Sequence, residues 1–187
     1  MAYTYRPTPA SRTMTPAPKH LEPLLQRNLS SDDADIVGRI RCSCGSDDLI
    51  PLFVGSRNET ERRHYLQVTA IDGNWFLRLG CRCPKCSTES LIFDDHLHGW
   101  NGFVCAEEEV RSLPRPPFEQ WHCQKCRSHQ HRMAITIQTD DMETAIEEGG
   151  DLITEENWFE AFGWLTLDVT CADCGHGPNR IVDYETM

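Results

Sequence analysis

Two stretches of the chain alternate apolar and polar residues with a period of two, and each ends close to a pair of cysteines. The first is Trp75–Cys81 and the second is Gly163–Val169. This alternation is typical of a β-strand with one buried face. A shift of 88 positions superposes the two stretches and carries Cys83 onto Cys171. The pattern therefore predicts two related β-units, which we interpret as products of a duplication.

Two proline-rich segments flank the first unit. Residues 1–38 contain five prolines and little apolar periodicity, which predicts a flexible arm. Four leucines in this arm have helical spacing, which fits either a transient helix or a short docking helix: Leu21, Leu24, Leu25 and Leu29. Leu113–Pro117 holds three prolines and is predicted to be a stiff linker. The predicted domains are the arm at 1–38, a first unit at 39–113 and a second unit at 114–187.

The second unit carries a strongly acidic segment. Asp141–Glu156 contains seven acidic residues and no basic residue. Met142–Glu148 within it is predicted to be a short helix that begins after Asp140 or Asp141 and ends at Gly149-Gly150. The first unit has no counterpart of this segment, and Ile71–Trp75 is typical of a tight hairpin at that point. We therefore interpret the acidic segment as an insertion.

Ten cysteines are the distinctive chemical feature of the chain, and eight of them form close pairs. The pairs are Cys42/Cys44, Cys83/Cys86, Cys123/Cys126 and Cys171/Cys174. A C-x-x-C turn directs two thiolates at one ion, and two such turns supply the four soft ligands that zinc prefers. Disulfides would need an oxidising compartment, and residues 1–25 lack the apolar core of a signal peptide. We therefore expect an intracellular, cytoplasmic protein that binds two zinc ions.

The segments around these pairs resemble the zinc-ribbon superfamily. Cys83–Cys86 and Cys171–Gly175 look like its metal-binding turns, and the resemblance covers residues 40–95 and 121–185. It implies a small, mainly β, zinc-stabilised fold built of two tandem antiparallel zinc ribbons. The second ribbon would carry the short acidic helical insertion, and the proline-rich arm would precede both. The resemblance implies no particular function.

The first metal site leaves an alternative among its ligands. Cys42-Ser43-Cys44 has one residue fewer between its cysteines than the other three pairs. Cys81 and Cys83 have the same short spacing, so Cys81 could replace Cys86 as a ligand. The repeat favours Cys86, because Cys81 aligns with the apolar residue Val169.

The sequence favours structural roles for a further cysteine, two histidines and four tryptophans. Cys105 has no close partner and is predicted to be buried, with a reactive thiol as the alternative. His96 and His98 could bind metal, but the glycines that follow favour a turn that packs Trp100 on the sheet. Four tryptophans are predicted to lie in the core: Trp75, Trp121, Trp158 and Trp164.

The net charge of −11 is concentrated towards the C-terminus. Residues 106–187 hold seventeen acidic and six basic side chains. Such a charge distribution repels a nucleic-acid backbone and favours a basic protein partner. No stretch of the sequence approaches the roughly 18–20 apolar residues that cross a bilayer, so we expect no membrane partner.

These features predict a non-catalytic zinc-binding module for protein interaction: an adaptor, an inhibitor or an assembly factor. All-cysteine sites leave no zinc position open for water, and the sequence lacks the metalloprotease, phosphate-loop and nucleophile-elbow motifs. The acidic segment is predicted to bind the partner, with Trp158 and Phe159 as candidate apolar anchors. The competing interpretation is a solvated loop that keeps the protein soluble.

A nucleic-acid-binding role is the alternative function. It would use the basic residues of the arm and of the first unit: Arg6, Arg12, Lys19, Arg27, Arg57, Arg62, Arg63, Arg78, Arg82 and Lys85. Many zinc ribbons bind nucleic acid through such a basic face.

Overall fold

The fold is small and mainly β, as predicted. The computed structural model describes residues 14–27, 35–57 and 66–186. Within these ranges the strands are β1 Leu25–Arg27, β2 Asp35–Ile40, β3 Ile50–Val54, β4 Ser56–Arg57, β5 Leu66–Gln67, β6 Thr69–Ile71, β7 Asn74–Phe76, β8 Arg78–Arg82, β9 Glu89–Asp94, β10 Glu119–Gln120, β11 His131–Gln138, β12 Trp164–Cys171 and β13 Asn179–Glu185. The helices are a π-helix at Trp100–Cys105, α1 Glu108–Arg111, α2 Met142–Gly149 and 3₁₀ turns at Gly150–Leu152 and Trp158–Glu160. None of the described helices is long and apolar enough to cross a membrane.

Two three-stranded antiparallel units share one strand order. They are β3-β8-β9 and β11-β12-β13. In each unit the pairing of the last two strands shifts register, at Leu79/Gly80 in the first and at Leu167/Asp168 in the second. These positions are the ones that the offset of 88 residues superposes. The geometry agrees with the internal repeat, and its origin in a duplication stays a prediction.

The two units exchange their leading strands. Strand β2 precedes the first cysteine pair but pairs with β11 of the second unit, whereas β10 precedes the third cysteine pair but pairs with β3 of the first. The sheets are therefore β1-β2-β11-β12-β13 and β10-β3-β8-β9. Leu49 and His131 join them through two backbone hydrogen bonds of 2.9 and 2.7 Å. The sheets do not follow the predicted boundaries. Strands β1 and β2 lie in or mostly in the predicted arm at 1–38 but belong to the sheet of the second unit, and β10 lies in the range 114–187 but belongs to the sheet of the first.

One hydrophobic core lies between the two sheets. It contains Phe53 and Phe93 from the first unit and Ile135 and Leu167 from the second, and each is no more than 2 % exposed. Along β11 the side chains alternate strictly between buried and more exposed positions. This is the period-two pattern of a strand with one face on a core. Burial of each such side chain contributes roughly 1.5–3 kcal/mol, so the two units stabilise each other.

Part of the predicted flexible arm is packed against the body. Ala17, Leu21 and Leu24 are buried in the main core, and β1 extends the five-stranded sheet by pairing with β2. A tight turn places the leucines, since Leu21 N–H donates to Pro18 O and Leu24 N–H donates to Leu21 O. The prediction of a flexible arm was therefore wrong for residues 14–27 and also for residues 35–38, which lie in β2. The other residues of the arm, including Leu29, lie outside the described residues.

The proline-rich linker is held by a buried charge cluster. Asp94 is 1 % exposed, and its Oδ2 accepts hydrogen bonds from Nε of Arg78 and Nε of Arg115, both at 2.9 Å. Arg78 also donates to the carbonyl of Pro116 at 3.0 Å. The linker therefore lies against the first sheet at the end of β9.

Two stacked histidines fasten residues 14–27 to the body. The rings of His20 and His98 are parallel, with centroids 3.7 Å apart. His98 Nδ1 accepts a hydrogen bond from the Asp94 N–H, and His20 Nε2 lies 3.0 Å from the carbonyl oxygen of Ile92. Burial and the adjacent His20 lower the pKa of His98 to about 3, and burial also lowers the pKa of His20.

Acidification is expected to destabilise the fold through His98. An unfolded histidine has a pKa of about 6.5, so the folded state binds fewer protons and loses stability as the pH falls below that value. His98 should account for a loss of about 1.4 kcal/mol between pH 7.5 and 5.5. Urea unfolding of the zinc-loaded protein and of His98→Asn at both pH values measures this loss. Asp95, whose pKa burial raises to about 6, acts in the opposite direction but is common to both proteins. Equal pH dependence of the two proteins would contradict the prediction.

Two candidate metal centres

The fold brings the eight paired cysteines into two clusters of four. The first contains Cys42, Cys44, Cys83 and Cys86, and the second contains Cys123, Cys126, Cys171 and Cys174. Within each cluster the sulfur atoms lie within 4.8 Å of one another. The close sulfur–sulfur distances across the turns are 3.5 and 3.5 Å in the first cluster and 3.7 and 3.5 Å in the second. A tetrahedral zinc ion with Zn–S bonds of about 2.3 Å needs sulfurs about 3.8 Å apart. Each cluster could therefore hold a metal ion, and four thiolates are a ligand set typical of structural zinc.

Three of the four cysteine turns have the same backbone hydrogen bonds. In the turn at Cys83, the cysteine N–H donates to Thr88 O, and Ser87 N–H donates back to Cys83 O. The turns that begin at Cys123 and Cys171 repeat both bonds at the same spacing. This closed turn directs two sulfurs towards one point, which is why the C-x-x-C spacing suits a tetrahedral ion.

The short turn at Cys42-Ser43-Cys44 makes both bonds with one residue fewer. Cys42 N–H donates to Ser46 O at 2.9 Å, and Gly45 N–H donates to Cys42 O at 2.8 Å. All four turns end on a residue in the left-handed region, with φ between 62 and 88°: Gly45, Ser87, Arg127 and Gly175. The turn at Cys42 is therefore one residue shorter than the others, but its two cysteines point in the same direction as theirs.

In every cysteine pair the first cysteine is buried and the second is exposed. Each cluster therefore has one side inside the protein and one side at the surface. The Thr88 hydroxyl, 3.3 Å from the Cys86 sulfur, and the Thr88 N–H lower the pKa of the Cys86 thiol to about 6. A lowered pKa favours the thiolate form that binds zinc.

Cys81 lies outside the first cluster. Its residue pairs with Pro51 and Ser90 in the sheet, and its side chain belongs to the hydrophobic core at 3 % exposure. Burial raises the pKa of the Cys81 thiol to about 12. Of the two alternatives, the structure favours Cys86 as the fourth ligand.

Two predictions of burial were wrong. Cys105 is exposed, because it ends the π-helix Trp100–Cys105 on the surface side. Trp75 is 61 % exposed, since its strand β7 pairs only with β6 in a small hairpin. The turn of this hairpin, Asp72-Gly73, has φ values of 52 and 83°, so the predicted tight hairpin is present. Among the other tryptophans, Trp121 is buried, whereas Trp158 and Trp164 are half-buried.

His96 and His98 lie away from both cysteine clusters. His98 stacks on His20, and His96 forms a separate group with Asp94 and Asp95. Gly99, with φ of 68°, turns the chain so that Trp100 packs in a second small core with Ala145. The predicted glycine turn is therefore present, but Trp100 packs against the second core and not against the sheet as predicted.

Comparison with protein-family models, with curated proteins and with solved structures gave no match. The protein is small and mainly β, with two four-cysteine clusters that could bind zinc, consistent with a zinc-ribbon-like fold.

Proposed function

We propose that the protein is a non-catalytic, zinc-stabilised interaction module whose acidic segment Asp141–Glu156 binds a basic protein partner. The observation that carries the proposal is the exposure of this segment's charge. All seven of its carboxylates are exposed: Asp141, Glu143, Glu147, Glu148, Asp151, Glu155 and Glu156. None of them forms an ion pair within the described part of the chain, so their field is directed at solvent.

The acidic segment has a defined shape. Helix α2 begins after Asp141, whose Oδ1 accepts from Thr144 N–H at 3.1 Å, and it ends at Gly150 with φ of 56°. Ala145 on this helix packs with Ile153 and Ala161 in the second core. A helix that is capped at both ends and packed on a core presents its carboxylates in a fixed pattern, which favours binding over a purely solvating role.

The apolar contact in this segment differs from the predicted one. Phe159 is only 7 % exposed, and Trp158 packs against the second core. Leu152 is 59 % exposed and Met142 is 37 % exposed. Leu152 is therefore the better candidate for the apolar anchor that a charged interface needs at its centre.

The composition of the clusters supports a non-catalytic role. We infer that each cluster binds one zinc ion with four thiolates. A four-coordinate zinc site of this kind has no position for a water nucleophile. The ions then stabilise the turns that hold the sheets together.

Reversal of three charges tests the proposal. Glu147→Lys, Glu148→Lys and Asp151→Lys together should slow association with the partner about tenfold at low salt, because steering by opposite charge accelerates encounter. The partner is first captured from the native host by crosslinking, then purified, and its association rate is measured at low and high salt. The matched control reverses three exposed carboxylates elsewhere, Glu22, Glu89 and Glu119, with the same change in net charge.

The outcomes separate three interpretations. Zinc content should stay unchanged in both triple variants. The melting temperature should stay unchanged in the acidic-segment variant and fall slightly in the control, because Glu89→Lys places a lysine opposite Arg82. If the acidic-segment variant associates at the wild-type rate, the segment is only a solvated loop. A nucleic-acid-binding protein would respond in the opposite direction, since the reversal would tighten binding to duplex DNA and loss of Arg62 and Arg63 would weaken it.

Three arginines of the basic face that nucleic-acid binding would use have partners within the chain. The guanidinium of Arg78 is engaged with Asp94, and that of Arg57 lies over the rings of Phe53 and Trp121. Arg82 lies 3.7 Å from Glu89. Arg6, Arg12, Arg62 and Arg63 lie outside the described residues.

A further inference from the structure

We propose that a cavity beside the hairpin β6–β7 receives an arginine side chain of the basic partner. This inference rests on the proposed function, because a basic partner is what would supply the arginine. It concerns a different surface from the acidic segment, and it names the group that is recognised there.

The cavity combines an exposed aromatic ring with buried polar groups. It has a volume of about 330 Å³ and is lined by Trp75, Tyr184, Asp95 and His96, with Asn101 and Cys105 at its side. The 61 % exposure of Trp75 is unusual for so large an apolar side chain. An exposed indole beside a carboxylate is suited to a flat cation, which stacks on the ring face.

The polar side chains of the cavity carry hydrogen-bond acceptors without partners. Asp95 and His96 are each only 9 % exposed. Asp95 Oδ1 and His96 Nδ1 are buried, and no described residue hydrogen-bonds to either atom. His96 Nε2 lies 2.7 Å from the carbonyl oxygen of Trp75, so this nitrogen donates and Nδ1 of the neutral ring is an acceptor.

Both acceptor atoms expose less than 1 Å² of surface, so the two lining side chains must rotate towards the cavity before a ligand reaches them, and that ligand then needs at least two donors. A buried acceptor without a partner costs roughly 1–3 kcal/mol, which a ligand recovers by donating to it. A guanidinium offers several N–H donors in one plane and stays charged at all physiological pH values. Burial raises the pKa of Asp95 only to about 6, so its carboxylate is charged at pH 7.5.

A metal ion fits this group less well. It would need Asp94 as a third ligand, and Asp94 Oδ2 already accepts from Arg78 and Arg115 at 2.9 Å. Its Oδ1 accepts from the His96 N–H at 3.1 Å. A divalent ion there would lie beside two guanidinium groups, whereas an arginine side chain needs only Asp95 and His96.

Titration of the full-length protein with N-acetylargininamide tests the inference. Resonances of Trp75, Asp95 and His96 in the ¹⁵N-labelled, zinc-loaded protein should shift with a Kd on the order of 1 mM. N-acetylcitrullinamide, which has the same shape without the charge, should bind about tenfold more weakly. Trp75→Ala and Asp95→Asn should each weaken arginine binding by about tenfold. Met14→Ala, which removes an apolar side chain that is 54 % exposed elsewhere, should leave it unchanged.

The inference and the proposed function can fail separately. Equal binding of the arginine and citrulline derivatives, or wild-type binding by Trp75→Ala, would overturn the arginine site. Trp75 is exposed, so its variant keeps the test valid even if Asp95→Asn does not fold. The variant with Glu147, Glu148 and Asp151 reversed should bind N-acetylargininamide as the wild type does. If that variant also binds the basic partner normally, the proposed function of the acidic segment fails while the arginine site stands.

Discussion

Removal of zinc is expected to unfold both sheets in a single transition. Each cluster joins two turns that are separated by about 40 residues of chain, and structural zinc contributes about 10–16 kcal/mol in small zinc-binding peptides. That is comparable with the whole stability of a domain, which is about 5–15 kcal/mol. Because the units exchange β2 and β10, loss of one cluster should also weaken the sheet of the other unit. Circular dichroism during chelation, with elemental analysis of the purified protein, measures both effects.

Single cysteine variants test which residues hold the ions. The purified protein should contain two zinc ions per chain, and Cys171→Ser or Cys174→Ser should remove one of them. Cys81→Ser is the control, because its side chain lies in the core, and it should keep both ions. A fresh preparation without zinc would refute the metal-centred architecture. Loss of an ion in Cys81→Ser, with both ions kept in Cys86→Ser, would show that the ligand choice is wrong.

Replacement of Asp94 by alanine is expected to cost about 3–5 kcal/mol of stability. The carboxylate is 1 % exposed and is the shared partner of Arg78 and Arg115, so its removal leaves two partly buried guanidinium groups without their anion. The linker at Leu113–Pro117 would also lose its attachment to the end of β9. Urea unfolding of the zinc-loaded protein at pH 7.5 measures the loss.

A more exposed ion pair provides the control for Asp94. Asp168 lies 3.4 Å from Arg180, and their side chains are 27 and 45 % exposed. Asp168→Ala should cost no more than about 1 kcal/mol, since pairs near the surface are weak. If Asp94→Ala costs as little as Asp168→Ala, the buried cluster does not hold the linker.

The metal clusters could be predicted from the sequence because their signal is local. Each turn needs two cysteines at short spacing and a closing residue that accepts positive φ, and each turn spans only a few residues of chain. The choice between Cys81 and Cys86 could also be made, since the repeat aligned Cys81 with the apolar Val169. Helix α2 was predictable in the same way, because Asp141 and Gly150 mark its ends.

The exchange of strands could not be predicted, because it depends on contacts between distant segments. Strand β10 has only two residues, and nothing in Glu119-Gln120 indicates that it pairs with Phe53 and Leu52. The burial of Leu21 could not be predicted for the same reason. The helical spacing of Leu21 is visible in the sequence, but the core that buries it is formed by residues of both units. Trp75 is the reverse case: its residue type alone favours the core, but its two-stranded hairpin leaves the side chain exposed.

The exchanged strand also sets an order of events during synthesis. Strand β2 is complete at Ile40, but its partner β11 begins only at His131. About 90 further residues must therefore leave the ribosome first, which takes roughly 5–20 s at ordinary rates of translation. During that interval one edge of β2 has no partner from β11, and the four-cysteine cluster of the second unit does not exist. The five-stranded sheet is therefore completed only near the end of translation, when β13 has been made, whereas the strands of the four-stranded sheet are all available once β10 has been made.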